Sequence, residues 1–337
     1  MERSKPRYNS IIRPAALLFR TVLGILHRFS EIRYTTPTMR RKRQRVLVVY
    51  KRSAYQLHLL QRHDPRLLQL LRRGHPDVVD MRRGHEVHQH ALETVIRILQ
   101  QRSDVKVDVV YRADLRATSR YDFVIAVGGD GTFLQASHLL GETPILGVNS
   151  DVQRSEAVFC GATRDNFSRL LKQALTGTLS ILPIHRLRVV LNRRSFGPLV
   201  LNDVLIAHHD PATMSRYRLQ IGAVKEDQKS SGLWIATAAG SSSAIRAAGG
   251  RELPWSSKRF QYRPRELYLG RLSRYRLTGG SVSPSTAVRV TWLMRDGRLF
   301  IDGPHVHQAL QFGDRIEVRL ADEHPLHVLG LGERRTG

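Results

Sequence analysis

The chain has 337 residues and a formal charge of +25, from 54 Lys and Arg against 29 Asp and Glu. Hydrophobic residues make up 41%, which excludes a disordered chain and supplies a core for roughly two domains of ordinary size. A single cysteine, Cys160, excludes an intrachain disulfide, and the positive excess points to anionic partners: nucleic acid, an acidic membrane surface or phosphate-rich small molecules.

Residues 1–45 hold twelve Lys or Arg and two acids, Glu2 and Glu31. Ile11, Ala15, Leu18, Val22, Ile25 and Phe29 form one helical stripe, with Arg13, Arg20 and His27 opposite. No run of about 20 uncharged residues is present to span a bilayer, so stable membrane insertion is not expected. An Arg-rich, acid-poor, amphipathic start resembles a mitochondrial transit segment. The alternatives are a solvated basic leader on a cytoplasmic protein or a helix resting on a membrane surface. The basic run from Arg40 to Arg45 also reads as a nuclear signal or nucleic-acid patch.

Beyond the leader, residues 46–50 are a short apolar run and read as a buried parallel strand. Residues 85–101 read as a helix with Ala91, Val95, Ile98 and Leu99 on one face. Residues 105–111 alternate and make a second strand; 123–127 make a third. The third runs straight into Gly128-Gly129-Asp130-Gly131-Thr132 and a helical stretch to Leu140, and 144–148 make a fourth strand. Strands alternating with helices predict an α/β domain with a parallel sheet, assigned to residues 46–177. After 178 the texture changes to short β runs at 187–192, 199–207, 216–224, 232–238, 287–294, 297–302, 315–320 and 326–330. One helical piece at 241–248 interrupts them, and the pattern predicts an all-β sandwich domain over 178–320.

Four features carry chemistry. Glycines between a strand and a helix let the backbone approach a phosphate and adopt φ > 0, with N–H groups facing the anion. Gly128, Gly129, Gly131 and Thr132 are therefore the expected phosphate site, and Asp130 is placed to accept the proton of an attacking hydroxyl or to help organise a metal-bound triphosphate. The pair Asn202-Asp203 interrupts an apolar run, where Asn can meet an adenine edge and Asp the ribose hydroxyls; taken alone, it is also a hairpin turn. Thr237, Ser241, Ser242 and Ser243 put hydroxyls at a helix start, suited to sugar or phosphate and equally to simple capping. Asp302-Gly303 is first of all a hairpin turn. His85, His88 and His90 lack a metal-binding spacing and read as a solvated helix face.

In this order and at these spacings, the four features resemble the NAD kinase family, over roughly residues 45 to 332. The stretches 126–132, 144–151, 201–207, 231–233 and 237–241 are closest to its plant-type NADH kinase branch. The resemblance implies an α/β domain plus a β-sandwich domain, with the tail 321–337 returning to the first. It implies ATP as phosphoryl donor with Mg²⁺ and no dedicated protein metal site. Asp130 would be the base on the ribose 2′-hydroxyl of NADH or NAD. Asn149, Asn202, Asp203, Thr237, Ser241, Ser242 and Ser243 would line the dinucleotide site, with Asp302 a further candidate. It also implies a homo-oligomer, a dimer, and no nucleic-acid partner. Departures from the common pattern fall at Ser150-Asp151, Ser231 and Ala244, around the dinucleotide. The alternative is a lipid kinase of the diacylglycerol or sphingosine type, which shares the Gly-Gly-Asp-Gly loop.

Overall fold

In a computed structural model the described residues are 43–116, 120–271 and 274–332, and the leader helix expected over 11–29 lies outside them. The parallel region is built from β1 (Gln44–Tyr50), β2 (Val105–Tyr111), β3 (Phe123–Gly128) and β4 (Ile145–Asn149), with a short β5 (Ala162–Thr163) beside β4. The strand order is β2-β1-β3-β4, and Tyr50 lies level with both Tyr111 and Val127. The winding reverses between β1 and β3, the point where such a sheet opens a crevice beyond its C-terminal edge. Every residue of β3 is buried, as its unbroken apolar run requires of a central strand covered on both faces.

Helices α1 (Pro65–Arg72), α2 (Pro76–Gln100), α3 (Asp130–Ser137) and α4 (Phe167–Thr176) cover the sheet. The pleat sends Val46 and Val48 toward Leu92, Val95 and Leu99 of α2. Leu47 and Val49 point the other way, into a cluster with Phe133, Leu134 and Ala136 of α3. α2 begins at Pro76 rather than at 85, because proline at the first helical position loses no hydrogen bond the helix would have made. α3 stops at Ser137 rather than 140. The guanidinium of Arg186, itself 1% exposed, donates to the carbonyls of Ser137 (3.3 Å), Leu140 (2.9 Å) and Gly141 (3.5 Å) there.

The second half is antiparallel. Its strands are β6 (Ile181–Leu191), β7 (Arg194–Val200), β8 (Asp203–His208), β9 (Ser215–Ile221), β10 (Val224–Ser230) and β11 (Leu233–Ala236). After a short helix α5 (Ala244–Ala247) come β12 (Phe260–Pro264), β13 (Gly280–Val282), β14 (Val288–Trp292), β15 (Gly297–Ile301), β16 (Val306–Leu310) and β17 (Arg315–Leu329). Six of them form a sheet in the order β13-β12-β11-β8-β15-β16. It packs on β6, β9, β14 and β17 through a core that includes Val189, Val204, Ile235, Trp292, Leu299 and Val318.

That second leaf and the parallel strands are one eleven-stranded sheet, so hydrogen bonding crosses the expected boundary at 177. The join is β17, a single strand where two were expected, with an irregularity between Ala321 and Leu326. It runs antiparallel to β6 and β14, and at Val328 it pairs in parallel with Ile145 of β4. The expected run at 199–207 divides instead into β7 and β8, with Leu201 and Asn202 between them. β10 was not expected at all: its sequence, VKEDQKS, is polar because it is an edge strand, where charge discourages pairing with other chains.

Candidate active site

β3 ends at Gly128 and α3 begins at Asp130, so the chain turns within one residue. The glycines serve closeness rather than left-handed backbone, since none of Gly128, Gly129 and Gly131 has positive φ. A Cβ on Gly128 would collide with the side chain of Thr132, and one on Gly129 would lie 2.8 Å from Ser155 Oγ. Thr132 is 1% exposed, and its Oγ1 has no hydrogen-bond partner among the described residues.

The Asp130 carboxylate accepts the backbone N–H of Val158 at 3.1 Å and of Phe159 at 2.9 Å. Burial is the largest influence on it and raises its pKa above the ordinary carboxylate range; the two N–H bonds oppose this and the negative Glu156 adds to it. A carboxylate oriented by two donors yet held upward in pKa is suited to receive a proton. Behind it Phe133 stacks on Phe159 with ring centres 5.3 Å apart, and Phe159 meets Trp255 at 5.1 Å. Asp130 opens into a cleft of about 670 Å³, shared with Asn202, Ser241, Ser242, Ser243, Arg246 and Trp255.

The far wall is built around Asp302. Its side chain is fully buried. It accepts the backbone N–H of Leu201 (2.9 Å), Asn202 (2.7 Å) and Asp203 (3.0 Å), and lies 2.9 Å from His138 Nε2 at the end of α3. The 201–203 segment is therefore a carboxylate-clamped bend between two sheets, not a hairpin turn. Asp302 itself sits with positive φ in the β15–β16 connection, as the hairpin reading of Asp-Gly expects. Thr237 Oγ1 donates to the carbonyl of Leu201 at 2.6 Å and accepts from the N–H of Gly240 at 2.9 Å. Gly240 packs against the carbonyl of Asn202, where a Cβ would collide.

Among the expected site residues, the fold thus brings Asp130, Asn202, Ser241, Ser242 and Ser243 to one cleft. Asp203 lies one layer behind, 6% exposed, accepting from Ser243 Oγ (2.9 Å) and Asn202 Nδ2 (3.1 Å). Burial pushes its carboxyl up to about 7, helped by the neighbouring charge of Asp302. Asn149, Thr237 and Asp302 direct their polar groups at backbone: Asn149 Nδ2 donates to the carbonyl of Ser155 (2.8 Å) and its Oδ1 accepts from Asp151 N–H (3.0 Å). Ser241 also bonds backbone, donating to Ala238 and accepting from Leu253. Ser242 is the exposed hydroxyl of the group.

Several residues of the site carry no local signal. Val158 and Phe159 act through backbone N–H, which any residue has. Arg246 sits in the four-residue helix α5, Glu252 and Trp255 follow it in an irregular stretch, and Arg246 and Glu252 pair at the cleft. The histidine cluster also departs from expectation. His88 is 1% exposed, not solvated, with its ring nitrogens 2.8 Å from Ser150 Oγ and 2.8 Å from the carbonyl of Lys51. His85 bonds Ser53 and stacks on Tyr55.

Against known proteins, the chain matches the ATP-NAD kinase N-terminal domain family over residues 24–179, a match that begins inside the basic leader. A probable NADH kinase of Oryza sativa subsp. japonica is 34% identical over 254 residues, 69% of this chain and 78% of that one. An NADH kinase of Arabidopsis thaliana is 35% identical over 266 residues, 69% of this chain and 80% of that one. Two solved structures share the fold. An NAD kinase from Archaeoglobus fulgidus in complex with ATP has a TM-score of 0.60 at 20% identity, covering 86% of this chain and 95% of that one. Yeast NADH kinase complexed with NADH has a TM-score of 0.64 at 14% identity, covering 85% of this chain and 83% of that one.

Proposed function

Because this chain belongs to the NAD kinase family, on the plant-type NADH kinase side, we propose that Asp130 is its catalytic base in transferring the γ-phosphoryl group of ATP to NADH or NAD. The acceptor is the 2′-hydroxyl of the adenosine ribose, and the products are ADP with NADPH or NADP. The ribose oxygen bonds to the γ-phosphorus, the bond from that phosphorus to the β-phosphate oxygen breaks, and the hydroxyl proton passes to the carboxylate. Little covalent chemistry falls to the protein, so holding the oxygen near the carboxylate is its main work. Asn202 and Ser242 face the same cleft and supply polar contacts for the dinucleotide, while Asp203 and Ser243 keep Asn202 in place. The lipid-kinase alternative has no support among the relatives described above.

The observation that carries this reading is the Asp130 carboxylate, oriented by two backbone N–H groups and open to the cleft. Purified protein with ATP and Mg²⁺ should form NADPH from NADH or NADP from NAD, and parallel assays of the two set the preference. Asp130→Asn should lower kcat by about 10²–10⁴-fold with little change in KM. Turnover within a few-fold of wild type would remove Asp130 from the role of base. The same reading has Mg²⁺ arriving with ATP, a homodimer in solution and a leader that directs mitochondrial import. Chelation, sedimentation and a fusion of residues 1–45 to a fluorescent protein test these in turn.

A further inference from the structure

The leaf formed by β6, β17, β14, β9 and β10 packs one face on the sandwich core and turns the other outward. On that outer face lies a dish of about 560 Å³ that shares no residue with the cleft. Arg193, Arg218, Lys225, Arg289 and Arg315 line it, with Glu317 as its acid. The pleat gathers them, because each strand sends alternate residues outward and Gln220, Arg289 and Glu317 lie level across β9, β14 and β17. Two of the cations are neutralised. Arg218 binds Asp227 at 2.6 and 3.0 Å, and Arg289 binds Glu317 at 2.8 Å. Among the described residues, the side chains of Arg193, Lys225 and Arg315 make no hydrogen bond or ion pair. The acid that Lys225 faces, Asp227, is the one Arg218 already holds. These three span the leaf from β10 to the β6–β7 turn, four strand spacings or roughly 19 Å. Exposed Arg216 on β9 and Arg319 on β17 extend the basic rows. At one end of the leaf the β16–β17 turn presents Phe312, 70% exposed. Asp314 of the same turn accepts from Asn192, the neighbour of Arg193, at 2.8 Å.

We infer that this face docks the protein on a membrane of anionic phospholipid, with Arg193, Lys225 and Arg315 meeting headgroup phosphates and Phe312 entering the interface at the rim. Unpaired cations set this far apart match a plane of many separate phosphates better than one small ligand, which could not reach all three. Each Lys or Arg near an anionic leaflet adds attraction, and an exposed ring beside them adds apolar burial at headgroup depth. A second copy of the chain is a poor occupant, since a two-fold contact would set the dish against itself and bring like charges together. Nucleic acid is disfavoured as well. No aromatic ring lines the dish for bases to stack on. The face is a sheet surface, with no helix on it to enter a major groove. The docking surface is independent of the kinase reading.

The test is co-sedimentation of the full-length protein with vesicles of phosphatidylcholine, alone or with about 30 mol% phosphatidylglycerol. The basic leader is present in every protein compared, so its contribution is common to all. Wild type should partition onto the anionic vesicles at about 0.1 M salt and be released as salt rises. The triple variant Arg193→Gln, Lys225→Gln, Arg315→Gln should partition about 30-fold less or worse, at about fivefold per cation. Phe312→Ser should lower partitioning severalfold and leave its salt dependence unchanged. A control triple at exposed arginines of the other region, Arg66→Gln, Arg73→Gln and Arg97→Gln, should change partitioning by less than about twofold, since these cations do not face the membrane. Without vesicles, NADH phosphorylation by the Gln triple and by Phe312→Ser should stay within about twofold of wild type, which shows that the variants fold. If wild type ignores anionic vesicles, or the Gln triple binds them as wild type does, the docking surface is wrong and the kinase reading stands. Loss of duplex RNA binding or a changed oligomeric state in the Gln triple, with vesicle binding intact, would make the face a nucleic-acid or subunit contact and overturn the inference. If vesicle binding is lost in the triple while no protein phosphorylates NAD(H), the docking surface stands and the kinase reading falls.

Discussion

Asp203 and His88 are both almost fully buried, and burial moves them in opposite directions. Asp203 is pushed from 3.8 up to about 7, so the unfolded chain gives up this proton first. Its contribution to stability is greatest below pH 3.8, declines as the pH rises toward 7, and is flat beyond. His88 is lowered from 6.5 to about 4, so the unfolded chain takes up a proton first. Its neutral ring stabilises fully above pH 6.5 and that contribution is lost as the pH falls toward 4. The two trends cancel in part between those values, and only variants separate them. Asp203→Asn should gain on wild type between about pH 4 and pH 7 by on the order of 1 kcal/mol per pH unit, and His88→Gln should resist the loss between about pH 6.5 and pH 4 to a similar degree. Urea unfolding across pH reads both; parallel curves for wild type and variant would show that the buried group does not titrate alone. At Asp130 the raised pKa moves the acid limb of the rate profile above the ordinary carboxylate range, and Asp130→Asn abolishes that limb.

Among the elements, α3 couples the two walls of the cleft. Its first residue is Asp130. Just beyond its last residue, His138 holds the carboxylate of Asp302, and Arg186 plugs the carbonyls at the same end. Asp302 in turn binds three successive N–H groups of the 201–203 bend. Asp302→Asn replaces an acceptor by a donor facing N–H groups, and should cost about 2–4 kcal/mol of stability. It should also raise the KM for NADH several-fold more than it lowers kcat, because the bend carries Asn202 and not the base. Equal losses in kcat and kcat/KM would place Asp302 in the chemistry itself. The glycine loop belongs to this scale as well. Its glycines were legible as a tight β-to-α turn, and room for Thr132 lies within the same five residues, but the closeness of Ser155 to Gly129 depends on a fold back from beyond that window.

For the whole molecule, β17 makes one body of the α/β region and the sandwich. Leu326 and Val328 are completely buried in the cluster that also holds Phe133 and Leu201. Leu326→Ala should therefore cost about 2–5 kcal/mol and lower the stability of both regions together. Thermal unfolding followed by far-ultraviolet circular dichroism and by tryptophan fluorescence should give coincident transitions; separate midpoints would mean that the shared sheet does not couple them.

The parallel strands, the sandwich strands with apolar inner faces, and the glycine–aspartate turn were readable from the chain alone, since each depends on neighbours within a few residues and on a period of two or 3.6. The ordered set of four motifs likewise marked the family. The edge strand β10 escaped because its buried positions, Gln228 and Ser230, are polar and so display no apolar alternation. The carboxylate clamp at Asp302 and the buried His88 were decided only in three dimensions. Each joins residues far apart in sequence, as Asp302 and Asn202 are, and burial and unpaired charge are properties of the assembled surroundings. A side chain's sequence neighbours do not state them.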